Sequence, residues 1–150
     1  MNTTFIKNSI LFTTGGIIYY LIEFIWKTFI SGGICHWSMF LLGGFCFLVI
    51  GALNETLPWE MSIVKQGCYG AIVITVLELI FGYILNIVLK LGIWDYSSIP
   101  LNFMGQICLP FSIAWFFLSL IAIVFDDVLR WKWFGEEKPH YHLKDHELCQ

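Results

Sequence analysis

Long apolar blocks alternate with short polar ones along the whole chain, and that alternation predicts the architecture. The blocks run from about Ser9 to Ile30, from His36 to Leu53, from Met61 to Leu91, and from between Met104 and Pro110 to about Val128. Runs of that length differ from the short apolar–polar alternation of a half-buried strand. At a rise of about 1.5 Å per residue, each covers or nearly covers a hydrocarbon layer of about 30 Å. Lipid offers the backbone no hydrogen-bond partner, so the blocks must be helices. The expected fold is an all-α integral membrane protein: four transmembrane helices packed as a bundle over residues 1–134, then a charged cytoplasmic tail over 135–150. Asn54-Glu55-Thr56-Leu57-Pro58 ends the second span with polar groups and a helix breaker. Pro110 leaves the start of the fourth span open, because proline can kink or shorten a helix there.

The first block follows a short polar start with Lys7, an arrangement that imitates a signal peptide. It is too long for a typical signal core and lacks a small-residue cleavage site, so it reads as a retained span. Four spans put both termini on one face of the membrane. With the N-terminus inside, the inner segments hold Lys7, Lys65, Arg130, Lys132, Lys138 and Lys144, and the outer ones only Lys27 and Lys90. That asymmetry follows the positive-inside bias and predicts both termini in the cytoplasm.

Each span carries one small or polar face. In the third, Gly67, Ala71, Thr75, Glu78, Gly82 and Asn86 fall within an arc of about 100° at helical spacing. Small residues there let backbones approach, and an unpaired Glu78 near mid-span would cost at least about a few kcal/mol. A packing seam around a hydrogen-bonded or protonated acid is the plainer reading; a transport or proton-relay carboxylate is the sharper one. In the first span, Gly15, Tyr19, Glu23 and Lys27 step by four, so Glu23 and Lys27 can pair. Lys27 can otherwise snorkel to the headgroups. The second contributes Gly44, Gly51 and Glu55, and the fourth Cys108, Ser112, Trp115, Ser119, Ala122 and Asp126.

Polar chemistry concentrates in the outer links. His36 and Trp37 lie in one, and the stretch from Trp94, Asp95 and Tyr96 to Asn102 forms the other. Aromatic-belt anchoring accounts for Trp37, Trp94 and Tyr96, and Asp95 is expected to accept hydrogen bonds from nearby N–H groups, Ser97 or Ser98. At the inner end, Asp126, Asp127 and Arg130 form a charge cluster in which Asp127 and Arg130 can pair at three residues' separation. A Glu inside spans one and three followed by a Trp in the next outer link (Glu23 to Trp37, Glu78 to Trp94) also hints at a duplicated hairpin.

Composition narrows the function. Hydrophobic residues make up 58% of the chain and charged ones 13%, against about 25% charged in ordinary globular domains. A net charge of -3 without a dense basic run argues against nucleic acid. The five cysteines lack metal-like CxxC spacing and read as apolar fillers plus one tail thiol. His140, His142, Asp145, His146 and Cys149 read as a solvated tail rather than a metal site. No phosphate-cradling GxxxxGK[ST], HExxH or GxSxG occurs, so neither an enzyme with its own nucleotide site nor a resident cofactor is expected.

Three segments carry a family resemblance: His36 to Gly44, Trp94 to Asn102, and Gly105-Gln106-Ile107-Cys108-Leu109-Pro110. Together with Asp126 to Arg130 and Phe134 to Tyr141, they make the chain from about Tyr20 onward resemble the putative ABC-transporter type IV family of small bacterial integral membrane proteins. The resemblance implies a multi-pass protein of the bacterial cell membrane with a permease-like role. It brings no catalytic or substrate residues with it. Four spans without an ATPase motif would need copies of themselves, other membrane subunits or a separate ATPase as partners. Three functions are therefore in view: a permease-like or accessory subunit of a transport assembly, a proton-coupled small carrier acting as an oligomer through Glu23 and Glu78, and a non-transporting membrane scaffold.

Overall fold

A computed structural model describes residues 3–58 and 61–143, apart from the side chain of Asn54. Lys144, Asp145, His146 and Cys149 lie outside the described residues. The protein is mostly helical: α1 spans Thr3–Trp26, α2 Ser38–Thr56, α3 Ile63–Gly82 and α4 Leu109–Phe134. α1 continues into a wider π-helical turn over Lys27–Ser31, and α3 into another over Tyr83–Val88. With these turns included, α1, α3 and α4 are long and apolar enough to cross a membrane. α2 is apolar but shorter. A two-stranded antiparallel ribbon, absent from the expected fold, precedes α4: β1 (Asn102–Phe103) pairs with β2 (Ile107–Cys108), with Phe103 opposite Ile107.

Cys35 packs in one cluster with Ile93, whose carbonyl Lys27 bonds, so the links 32–37 and 89–108 share one end, and the two described termini share the other. Lys7 and Glu136, near opposite ends of the chain, form an ion pair at the terminal end. α1 and α2 interlock through reciprocal glycine contacts. A Cβ at Gly15 would come within 2.2 Å of Phe47, and one at Gly43 within 2.3 Å of Tyr19. Such close approach replaces the hydrophobic drive that packs helices in water. α3 and α4 meet more narrowly, where Gly67 faces Leu120 and Gly70 faces Ser119. α2 supplies most of the central core, with Met39, Leu42, Cys46 and Ile50 packed against Ile74, Ile93 and Ile123.

Pro110 falls in the first turn of α4, where its missing N–H costs no helical bond. The helix then runs beyond Val128 through Trp131 and Trp133 until Gly135 ends it in a left-handed conformation, φ +70°. Among the described residues after it, Tyr141 and His142 bond back to the terminal end while none is fully buried. Ile63 N–H donates to the His142 carbonyl at 2.9 Å, and the Tyr141 hydroxyl donates to Asp127 Oδ2 at 2.6 Å. Burial, then the bond and the charge of Asp127, push the Tyr141 hydroxyl above its ordinary pKa.

Candidate functional site: a cleft between the first and fourth helices

The link between α3 and α4 is built around two amides. Asn86, in the π turn, donates from Nδ2 to the Trp94 carbonyl at 3.0 Å and to Gln106 Oε1 at 2.8 Å. Its Oδ1 accepts from Ile93 N–H at 2.7 Å. Gln106 is 5% exposed and fills the space that a side chain at Gly82 would need. The Trp94 indole N–H donates to the Gln106 carbonyl at 3.0 Å. Asn86 is thus a latch that fixes the link against the helix end.

Within the link, Asp95 Oδ1 accepts from the Ser97 N–H at 2.8 Å and from the Ser97 hydroxyl, the turn expected of an aspartate there. These bonds hold the Asp95 carboxyl below the usual carboxylate range. Asn102 bonds the carbonyls of Ile99 and Ser97 and accepts from Gly105 N–H. Gly105 is left-handed, φ +68°, and a Cβ there would meet Ser97 Oγ at 2.5 Å and Asp95 Oδ1 at 2.7 Å. Its carbonyl accepts from Tyr96 N–H at 2.8 Å. The ribbon therefore presses the Asp95 turn inward and turns Tyr96 toward the bundle.

There Tyr96 meets Glu78. The Tyr96 hydroxyl donates to Glu78 Oε1 at 3.0 Å, and the Trp115 indole N–H donates to Oε2 at 2.8 Å. Tyr96 also stacks on Phe111, ring centroids 4.8 Å apart. Burial and the neighbouring Glu78 push the Tyr96 hydroxyl well above its ordinary pKa. Glu78 is 3% exposed, and among the described residues no cation pairs with it. Hydrogen-bond donors alone satisfy this buried acid.

Glu78 lines two cavities between α1 and α4. The one nearer the links, about 470 Å³, is bounded by Glu23, Lys27, Trp26, Trp94, Asp95 and Tyr96 among others. The deeper one, about 230 Å³, is almost wholly apolar and reaches Ile50, Ile121 and Phe125. Tyr19, Ile22, Glu78 and Trp115 line both, so the two adjoin along these side chains and make a cleft region polar at the mouth and apolar in depth. Lys27 Nζ lies 3.4 Å from Glu23 Oε1 and donates to the Ile93 carbonyl at 2.7 Å, joining α1 to the link. The predicted Glu23–Lys27 pair therefore belongs to the same cleft as Glu78.

A second polar cluster sits at the terminal end. The Arg130 side chain, 7% exposed, bonds Asp126 from Nε, with Glu55 at 3.4 Å and Glu136 at 3.7 Å from Nη1. Its Nε bonds Asp126, since four residues back brings that acid under the guanidinium, and Asp127 accepts from the Tyr141 hydroxyl. Gly51 allows this, since a Cβ there would meet Asp126 Oδ2 at 2.5 Å.

Of the other predicted residues, His36 Nδ1 bonds Ser38 at 2.8 Å near the start of α2, and Trp37 stays 65% exposed. The buried residues of α3 are Gln66, Gly67, Gly70, Ile74, Glu78 and Gly82; the expected Thr75 is half-buried and its hydroxyl bonds Ser112 of α4 at 3.2 Å. The sequence alone does not single out Gln106 as the link's anchor. A buried glutamine in a polar link has no periodicity to betray it.

The family described as putative ABC-transporter type IV matches residues 10–139. The match covers most of the chain, and the chain belongs to this family. No solved structure matches it.

Proposed function

With that membership as premise, we propose that the protein is a permease-like subunit of a transport assembly in the bacterial cell membrane. In this reading all four helices cross the bilayer and both termini are cytoplasmic. The cleft between α1 and α4 serves as a binding place for what the assembly handles. The observation that carries the reading is Glu78: a buried acid with no cationic partner among the described residues, held by Tyr96 and Trp115 on the wall of an open cleft. Buried acids in spans commonly mark substrate or ion paths. A scaffold would need no such cavity, whereas a binding subunit does. The absence of a nucleotide motif from the sequence makes a separate ATPase the natural partner.

The proton-coupled reading draws support from the two donors on Glu78. The Trp115 indole N–H can only donate, so its bond to Oε2 survives protonation of the acid at Oε1. The Tyr96 hydroxyl can reverse its bond when that proton arrives. Purification from native membranes after mild crosslinking tests the first reading. An ATPase or larger membrane subunit is expected in stoichiometric amount; a monomer with no companion would count against it.

A further inference from the structure

The cleft is shaped for one kind of guest. Its mouth holds three carboxylates, Glu23, Glu78 and Asp95, and one ammonium, Lys27. That ammonium is already engaged by Glu23 and by the Ile93 carbonyl. Among the described residues the mouth thus has no free cation and more carboxylates than ammonium groups. Trp26, Trp94, Tyr96 and Trp115 surround it, and aromatic faces attract cations that are weakly hydrated. Below Glu78 the walls become almost wholly apolar. Ile18 (38% exposed), Ile22 (45%) and Ile121 (66%) form its rims, so this part opens sideways, where the acyl chains of a bilayer would lie.

Resting on the binding role proposed above, we infer that the cleft takes a single-chain amphiphile with a quaternary or primary ammonium head. The head sits among Trp94, Tyr96 and Glu78, and the alkyl chain runs down between Ile18 and Ile121. A net-acidic aromatic mouth favours a cation over an anion or a sugar. The dry lower part favours an alkyl tail over a compact polar ion. The mouth, about 470 Å³, falls in the range of small-molecule sites, and the smaller depth, about 230 Å³, leaves room for one chain rather than two.

The full-length protein in a maltoside detergent, titrated with decyltrimethylammonium and read by native mass spectrometry, tests this. One bound equivalent is expected, with tetramethylammonium and decanoate each at least about tenfold weaker, as a loss of about 1.4 kcal/mol would give. Equal binding of decanoate would overturn the charge assignment, and equal binding of tetramethylammonium the role of the chain. Displacement of decyltrimethylammonium by phosphatidylethanolamine would assign the cleft to a two-chain lipid and overturn the single-chain inference. Glu78→Gln is expected to weaken binding, and Ile18→Trp, which narrows the rim without touching the acid, to weaken it as well. Undiminished binding in a correctly folded Ile18→Trp protein would contradict the placement of the tail. Binding with these preferences but no co-purifying subunit would sink the assembly reading and leave the ligand assignment standing.

Discussion

The hydroxyl of Tyr96 reaches from the polar link into the bundle and donates to Glu78 Oε1 at 3.0 Å. One bond thereby ties the conformation of a surface segment to the state of a buried acid. Tyr96→Phe removes this donor while keeping the ring stacked on Phe111. A loss of about 1–2 kcal/mol is expected, the usual cost of deleting one donor to a buried acceptor. Thermal unfolding in detergent measures it. In a double-mutant cycle with Glu78→Gln, the two changes should be clearly less than additive; simple additivity would mean that the bond contributes nothing.

Gly105→Ala should be worse than its size suggests. The position is left-handed, and the new methyl would meet the Asp95–Ser97 turn within 2.7 Å. Strain of about 1–3 kcal/mol is expected. Displacement of the link should appear as a change in tryptophan emission, because Trp94 is bonded to Gln106 next door.

Acid should loosen the link through Asp95. Its folded pKa is depressed by the Ser97 hydroxyl and N–H. The stabilisation is therefore fully present above the ordinary aspartate pKa of about 3.9 and is lost as pH falls below it. Limited proteolysis of the link between pH 6 and 3 should show the protection fading at the acid end. Asp95→Asn should be more easily cut at neutral pH and should lack that acid step.

At the other end, Arg130→Ala leaves the fully buried Asp126 without its partner. Breaking a buried pair from one side costs about 3–5 kcal/mol, enough to lower the yield of folded protein. Glu55→Ala should cost under about 1 kcal/mol, because that side chain is half exposed and its bond to Arg130 is screened. Comparable losses in the two variants, measured by unfolding in the same detergent, would contradict this ranking.

Much of this was legible in the sequence, because lipid-length apolar runs leave the backbone few options. The four blocks became four helices, with Pro110 at a helix start rather than in a kink. The helical step of four brought Glu23 and Lys27 together as expected. Periodicity defines an arc on a helix but not which helix faces it: Thr75 does meet Ser112 of the fourth helix, while Gly70 and Ile74, outside the expected set, are the more deeply buried. Long-range bonds carried no local signal at all. Neither the Glu78–Tyr96–Trp115 contact nor the return of Tyr141 to Asp127 can be read from spacing, since each joins separate segments through folding of the whole.

The account depends most on α2 crossing the membrane, so that the cleft's mouth and the two termini lie on opposite sides. Single-cysteine variants at Thr3, Ser98 and Lys138, made after replacing the native cysteines, test this with a membrane-impermeant maleimide on intact cells. Ser98→Cys should label directly, and Thr3→Cys and Lys138→Cys only after lysis. Labelling of Thr3→Cys and Lys138→Cys from opposite sides would mean three crossings, and the arrangement proposed here would be wrong.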